Sequence, residues 1–201
     1  MGVDPIVLSA QIILALQTIV SREIDPLEPV AITVGSIHGG TARNIIPEQV
    51  TMQLTIRCYN RRIREHVLSS IERICQNSAI AAGVPADRMP QVHNLGSGLA
   101  VYNNPELTNR VKRSMEKILG KSLQSYTPEM GGEDFAAYCQ EGKTPASFFW
   151  LGVTDSTRFR VHEKGGKPFA AAHSPLFIID VEPAIRTGVT AMAAAILDLM
   201  Q

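Results

Sequence analysis

Apolar residues recur at Ile6, Ala10, Ile13, Leu16 and Val20, a spacing of three to four that draws one stripe along a helix. Asp4 and Pro5 supply its start: a side-chain acceptor for free amides, then a ring whose fixed φ suits the first helical position. The helix is expected to end near Ser21, before the Asp25-Pro26 and Glu28-Pro29 breaks. Val30 to Ile37 reads as a strand closed by Gly39-Gly40, and a loop runs on to Pro47. From Val50 to Arg57 the alternation is strict. Val50, Met52, Leu54 and Ile56 fall on one face and Thr51, Gln53, Thr55 and Arg57 on the other, so this strand is covered on one side only. Ile63, Val67, Ile71, Ile74 and Ala81 mark a second amphipathic helix that stops at Gly83 ahead of Pro85. Met89 to Leu95 carries a fainter strand pattern. The order helix, strand, strand, helix, strand predicts an α+β sandwich with helices on one face of an antiparallel sheet.

After Gly96-Ser97-Gly98, Asn104-Pro105 opens a third helix with the stripe Leu107, Val111, Met115 and Ile118 and a stop at Gly120. Leu123 to Tyr126 and Ser147 to Leu151 suit short buried strands, with a helix from about Glu133 to Gln140 between them. Pro183 opens a closing helix whose expected apolar face is Ile185, Val189, Met192, Ile196 and Met200. This second half reads as an α/β layer with two or three strands.

Composition narrows the function classes. The chain has 201 residues, 45% of them apolar, enough for one ordinary domain or two small ones. Nineteen basic and nineteen acidic residues cancel, so no whole-chain field attracts nucleic acid or an anionic membrane, and neither is expected as a partner. Three widely spaced cysteines, Cys58, Cys75 and Cys139, fit buried thiols in a reducing compartment, which favours the cytoplasm. The stretch from Ile6 to Val20 lacks the basic flank of a signal peptide and reads as too short and too polar to span a bilayer.

Candidate chemistry lies in loops. The polar turn Gly35 to Pro47, which carries His38, Arg43 and Asn44, admits two readings. In one, it is a wide hairpin with local turn hydrogen bonds at Asn44 and a solvated His38; in the other, His38, Arg43 or Asn44 donates to a substrate carboxylate or oxyanion. In Met130-Gly131-Gly132-Glu133-Asp134-Phe135, the carboxylates either cap a helix or border a site that the glycines let the backbone approach. His173, before Ser174-Pro175, is a surface histidine or a metal ligand. His66 and His93 read as structural, and His162-Glu163 sits in the loop around Lys164-Gly165-Gly166-Lys167. No Walker loop, Rossmann glycine run, HExxH helix or GxSxG elbow is present.

At these residues the chain resembles the bacterial metal-dependent amidohydrolases that cleave N-acyl amino acids, including hippurate and indole-acetyl amino acid hydrolases. Four segments carry the resemblance in order: Gly2 to Arg22, Gly39 to Pro47 with Thr55-Ile56-Arg57, Met130 to Phe135, and His173-Ser174-Pro175 with Phe177. The resemblance implies a ferredoxin-like α/β lid over residues 1–98, lacking its first strand, and the last part of an α/β zinc-exopeptidase-like catalytic domain over 99–201. It gives His173 the role of a metal ligand, places Asn44 and His38 toward the substrate, and sets Glu133 beside the site. It implies two divalent ions, zinc or manganese, per complete site, an N-acyl amino acid substrate, attack by a metal-activated water, and a homodimer through the lid.

Family members carry the other ligands and the general base upstream of the lid helix, where this sequence starts. No catalytic base is therefore expected within it, and tight metal binding and turnover by this chain alone are not expected. A C-terminal piece of a longer enzyme is the reading that follows, with a non-catalytic dimerisation module or one half of a split hydrolase as alternatives.

Overall fold

The Asp4 carboxylate accepts the amides of Ile6 and Val7 at 2.8 and 3.4 Å and, with Pro5 in the first turn, starts α1 (Pro5–Thr18) in the computed structural model. The structure describes residues 2–96, 98–139, 142–170 and 172–201, and the chain divides into two units, Met1–Ala100 with Glu129–Glu133 and Val101–Pro128 with Asp134–Gln201. In the first unit α1 runs on through a wider π turn, Ile19–Glu23. The buried stripe is Leu8, Ile12, Leu16 and Ile19, whereas Ile6 and Ala10 of the expected stripe are exposed. The segment is apolar nearly all round, so periodicity alone left its inward face undetermined. The continuous helix Pro5–Glu23, 19 residues, is long and apolar enough to cross a membrane by composition, contrary to the expectation from its shorter apolar run. Here, however, its buried stripe forms the core of the unit.

Strands β1 (Val30–Gly39) and β2 (Val50–Cys58) pair antiparallel, from Val30 opposite Cys58 to Gly39 opposite Val50. Among the described residues this is the whole sheet. Ile32 and Ile56, opposite each other, pack in the core with Leu54, and half-buried Val34 stands opposite Leu54 on the same face. Between Val34 and Ser36 the register shifts, leaving Gly35 as an extra residue. The bulge inverts the alternation of β1. Beyond it Ile37 shares the core-side face with Met52, while Ser36 and His38 join Gln53 and Thr51 on the other side. Ser36 Oγ donates to Gln53 Oε1 at 3.0 Å on that polar face.

The core-side face is covered by α1 and α2 (Arg61–Ala81), the latter capped by the Asn60 side chain, which accepts the Arg62 amide at 2.9 Å. Val67, Ile71, Ile74, Cys75 and Ala79 of α2 meet Leu8, Ile12, Leu16 and Ile19 of α1 over Ile32. Met89 to Leu95 forms no strand. Pro90 has no amide to offer a ladder, and Gln76 Nε2 donates to its carbonyl at 2.8 Å, while Met89 and Val92 still pack on the core.

The second unit is built on α3 (Pro105–Leu119) and α6 (Val181–Leu199), with two shorter helices, α4 (Ala136–Cys139) and α5 (Ser156–Glu163), between them. Asn104 caps α3 by accepting the Leu107 amide at 2.9 Å. Val111 and Met115 pack on Ala191 and Ala195, with Phe149 and Leu123 against them. Ser114 Oγ donates to the Ala194 carbonyl at 2.7 Å inside this contact, and Arg110 Nε pairs with Asp198 at 2.8 Å. Three expectations are corrected here. Leu123 to Tyr126 and Ser147 to Leu151 are not strands, because no strand lies beside them among the described residues, so the α/β layer is not formed. The helix expected from Glu133 is the single turn α4, and Gln140 lies outside the described residues. The expected apolar face of α6 is exposed. Ala184, Ala191, Ala194 and Ala195 are buried instead, since small side chains allow α3 to approach closely.

Glu23, at the end of the π turn, ties α1 to α2. Its carboxylate accepts from Arg73 at 2.7 Å and from Ser70 Oγ at 3.0 Å, with His66 Nε2 at 3.7 Å. The Arg73 hydrogen bond holds this carboxyl below its ordinary value of 4.5 against an opposing effect of burial, with help from Ser70. A depressed carboxyl stabilises the fold above its unfolded value and ceases to as pH falls through the folded one. Glu23→Gln is expected to lose up to about 1 kcal/mol at neutral pH. In urea unfolding, the gap from wild type closes below pH 4.5.

Candidate functional site

The loop after β1 walls an open groove of about 600 Å³ with Gly39 to Pro47 on one side and Asp4 and Ile6 of the α1 start on the other. Two glycines make this possible. A Cβ on Gly39 would lie 2.6 Å from Val50 Cγ2 and 3.2 Å from the Gln49 carbonyl, so only a bare backbone fits there. Gly40 has φ +82°, in the left-handed region, with Ile6 Cδ1 and Pro47 Cγ about the space a Cβ would take. The loop then turns through a hydrogen bond from the Ile45 amide to the Ala42 carbonyl at 3.3 Å.

Asn44 lies in this groove, exposed, and its side chain makes no hydrogen bond among the described residues. The local turn bonds that one reading gave it are not formed. Its amide donors and carbonyl are open, the Arg43 guanidinium is on the same loop, and Ile45 and Ile46 are about 60% exposed beside them. The groove offers a cation, an amide and an apolar rim, which suits a small carboxylate with an apolar substituent. Asp4 and Ile6 are wall residues that sequence reasoning read only as a helix start; nothing in their spacing announces the groove.

His38 is exposed opposite Thr51 on the polar sheet face. It does not line the groove. The Gly35 bulge puts it there, since unbroken alternation would have turned it toward the helices. Glu133 is half-buried and belongs to the segment Glu129–Glu133 of the first unit. Arg57 anchors that segment by donating Nη1 to the Met130 carbonyl at 2.6 Å. Arg57 and His38 share a sheet face but stand six residues apart along β2, roughly 20 Å at 3.3 Å per residue. The structure therefore does not gather His38 and the Arg57 anchor at one point.

In the second unit, His173 is exposed in a tight turn. Ser174 holds the turn, its Oγ accepting the Leu176 amide at 3.2 Å and its carbonyl the Phe177 amide at 3.0 Å. His162 ends α5, a helix the sequence reading took for loop, and its ring lies 4.8 Å from Phe169. Asp155 starts α5 by accepting the Thr157 and Arg158 amides, which lower its pKa. Cys75 and Cys139 are buried, Cys58 is half-buried, and burial pushes the Cys58 and Cys75 thiols up, away from nucleophilic use.

A protein metal centre of the zinc kind takes three or four side-chain ligands. Among the described residues no three His, Cys, Asp or Glu side chains group closely enough to hold an ion. His173 offers one donor, and these residues do not by themselves fit a metal.

Residues 1–82 match the peptidase dimerisation domain family. Along most of its length the chain is similar to curated hydrolases. It is 39% identical over 153 residues to an N-acetyldiaminopimelate deacetylase of Leuconostoc citreum, covering 76% of this chain and 38% of that protein. It is 31% identical over 193 residues to thermostable carboxypeptidase 1 of Saccharolobus solfataricus, covering 95% and 44%. An IAA-amino acid hydrolase of Arabidopsis thaliana is 30% identical over 185 residues, covering 89% and 38%. Among solved structures, a protein described as an aminohydrolase from methicillin-resistant Staphylococcus aureus superposes with a TM-score of 0.76 at 25% identity, over 99% of this chain and 47% of that one. A dinuclear metal-binding M20 peptidase of Bacillus subtilis shares the fold, with a TM-score of 0.65 at 24% identity over 98% and 47%. The chain thus spans less than half the length of each of these proteins.

Gly39→Ala is expected to destabilise the first unit by about 1–3 kcal/mol, because Val50 must move. Gly131→Ala, with nothing within 4 Å of the added methyl, is expected to be close to neutral in the same denaturant titration.

Proposed function

We propose that this chain is part of a metal-dependent amidohydrolase that cleaves the amide bond of N-acyl amino acids. Residues 1–98 are its lid and dimerisation domain, and residues 99–201 are the last part of its catalytic domain. One observation carries the reading: relatives that are deacetylases, carboxypeptidases and amino acid hydrolases align along most of the chain, including the matched dimerisation domain on which the Gly39 to Pro47 groove lies.

In this reading the groove receives the carboxylate of the substrate. Arg43 supplies charge and Asn44 a directed donor, while Ile6, Ile45 and Ile46 accept an apolar portion. His38, on the polar face next to the loop, is an outer substrate contact; Glu133, in the segment anchored by Arg57 at the other end of that face, is not assigned to the same substrate molecule. His173 is one ligand of a centre, for zinc or manganese, whose other ligands and general base are outside the described residues. No hydrolytic step is assigned to the described residues alone, because they supply neither a ligand set nor a base. The dimer follows from the domain match and from the sheet, whose two outer edges have no strand beside them among the described residues. A cytoplasmic setting follows from the free thiols.

The test is a titration of the full chain with hippurate and with N-acetylated amino acids, followed by NMR. Amide shifts are expected to concentrate in residues 40–47, and Asn44→Ala is expected to weaken binding about tenfold, the effect of one directed hydrogen bond to a charged group. Shifts spread elsewhere, or unchanged by Asn44→Ala, would remove the groove from the reading. In parallel, added zinc or manganese is expected to give no turnover of hippurate. Turnover abolished by His173→Ala would show that this chain already holds a complete centre.

A further inference from the structure

Between Val153 and Asp180 the chain makes an excursion whose two ends are hydrogen-bonded to each other. The Asp180 amide donates to the Val153 carbonyl at 2.9 Å, the Asp180 carboxylate accepts the Asp155 amide, and its Oδ2 stands 3.6 Å from Arg158 Nη1. Asp180 directly precedes α6, yet its side chain makes no cap bond to that helix and serves the neck of the excursion instead. Within the excursion, α5 buries none of its residues and has no extensive contact with another helix or strand. A helix of eight residues without a buried face is marginal on its own. Its support is internal. The amides of Gly165 and Gly166 donate to the carbonyls of His162 and Val161, both at 2.9 Å, and turn the chain back so that Phe169 stacks on Phe159 at 6.4 Å and meets His162 at 4.8 Å. The His173 turn, closed by Ser174, follows in the chain. Among the described residues, every hydrogen bond, ion pair and ring contact of residues 156–170 and 172–179 is made within the excursion or to Asp180.

We propose that Asp180 is the positioning residue of the His173 turn: by clasping the neck of the excursion it makes α5 and the turn one body, presented from the start of α6. Three ties converge on this one residue, and two of them use its charge, which makes them stronger than neutral hydrogen bonds. Asp155 links the clasp to α5 directly, because its amide donates to Asp180 while its own carboxylate accepts the Thr157 and Arg158 amides that start the helix. The clasp therefore sets the direction in which α5 sets out, and the chain returning from α5 carries His173. A loop with no buried apolar face to anchor it opens as one unit, at a free energy governed by the contacts at its neck. The inference rests on the reading of His173 as a metal ligand for its purpose, but it is measured without metal.

The experiment records amide exchange and histidine ring signals by NMR on the full chain, for wild type, Asp180→Ala and Asp180→Asn, the last of which keeps an acceptor for the Asp155 amide. In Asp180→Ala the amides of α5 and the Phe177 amide, which closes the turn, are expected to exchange about tenfold faster and by a common factor, the size of losing one hydrogen bond to a charged group. The His173 ring signals are expected to shift in the same variant, and Asp180→Asn to restore most of both effects. Amides around Ala191 and Ala195, in the contact with α3, are expected to exchange as in wild type. Three results overturn the proposal: faster exchange in α5 with the turn and the His173 ring unchanged, which makes Asp180 a local support of α5; no change in either; or loosening of the α3 and α6 contact in both variants, which makes Asp180 a residue of the fold. Metal and substrate are absent throughout, so a failure of the ligand reading of His173 leaves these outcomes unchanged, and their failure leaves that reading standing.

Discussion

The closing of α1 and α2 over one face of the β1–β2 hairpin is the contact on which the first unit depends. Leu16, Ile19 and Val67 are almost wholly buried in it. Because the helices take one face, the other is left polar, and because α1 ends its N-terminal turn beside the loop, Ile6 stands against Gly40 and Pro47. The groove is thus a by-product of helix packing: remove the α1 start and one of its walls is gone. Its polar groups are held by a loop that is itself constrained at both ends, by the lack of space for any side chain at Gly39 and by the left-handed backbone of Gly40.

The single extra residue at Gly35 has consequences out of proportion to its size. Alternation has a period of two, so one bulge exchanges the faces of every later residue in the strand. His38 is a surface group rather than a core group for this reason alone. Nothing in the string Val34-Gly35-Ser36 distinguishes a bulge from a regular strand that tolerates glycine; only the partner strand decides it.

Much of the first unit was legible in the sequence. Asp4-Pro5 and Gly83 act as the start and stop signals they resemble, and β2 alternates as written, whereas the Asn60 cap of α2 was not singled out. Those features are local, set by caps, turns and a half-buried strand. What was not legible depends on who the neighbours are. The inward stripe of α1 could not be chosen from a segment apolar on most sides, and Met89 to Leu95 was read as a strand although it only packs on the core through Met89 and Val92. In the second unit the problem is sharper. The bulkiest residues of α6 were taken for its core face, whereas α3 needs the alanines, since Ser114 reaches the Ala194 carbonyl only where the two backbones come close. Of the site residues, Asn44 was legible only as a loop residue with two readings, of which spacing favoured the local turn bonds that do not form; His173 was not separable from a surface histidine by spacing, and the resemblance alone gave it a role.

The corrections in the second unit have a common physical origin. Segments 123–126 and 147–151 carry the composition of buried strands, and α6 carries a second apolar face, so the sequence encodes more burial than the described residues provide. Hydrogen-bonded strands cannot form without a neighbour, and a branched apolar face gains nothing while it is wet. The same deficit governs the chemistry. One imidazole on a turn offers a single donor where a metal needs three or more, just as one strand-like segment offers a single edge where a sheet needs several. Local propensity and site chemistry therefore fall short together, in the unit where the chain has the most exposed apolar surface.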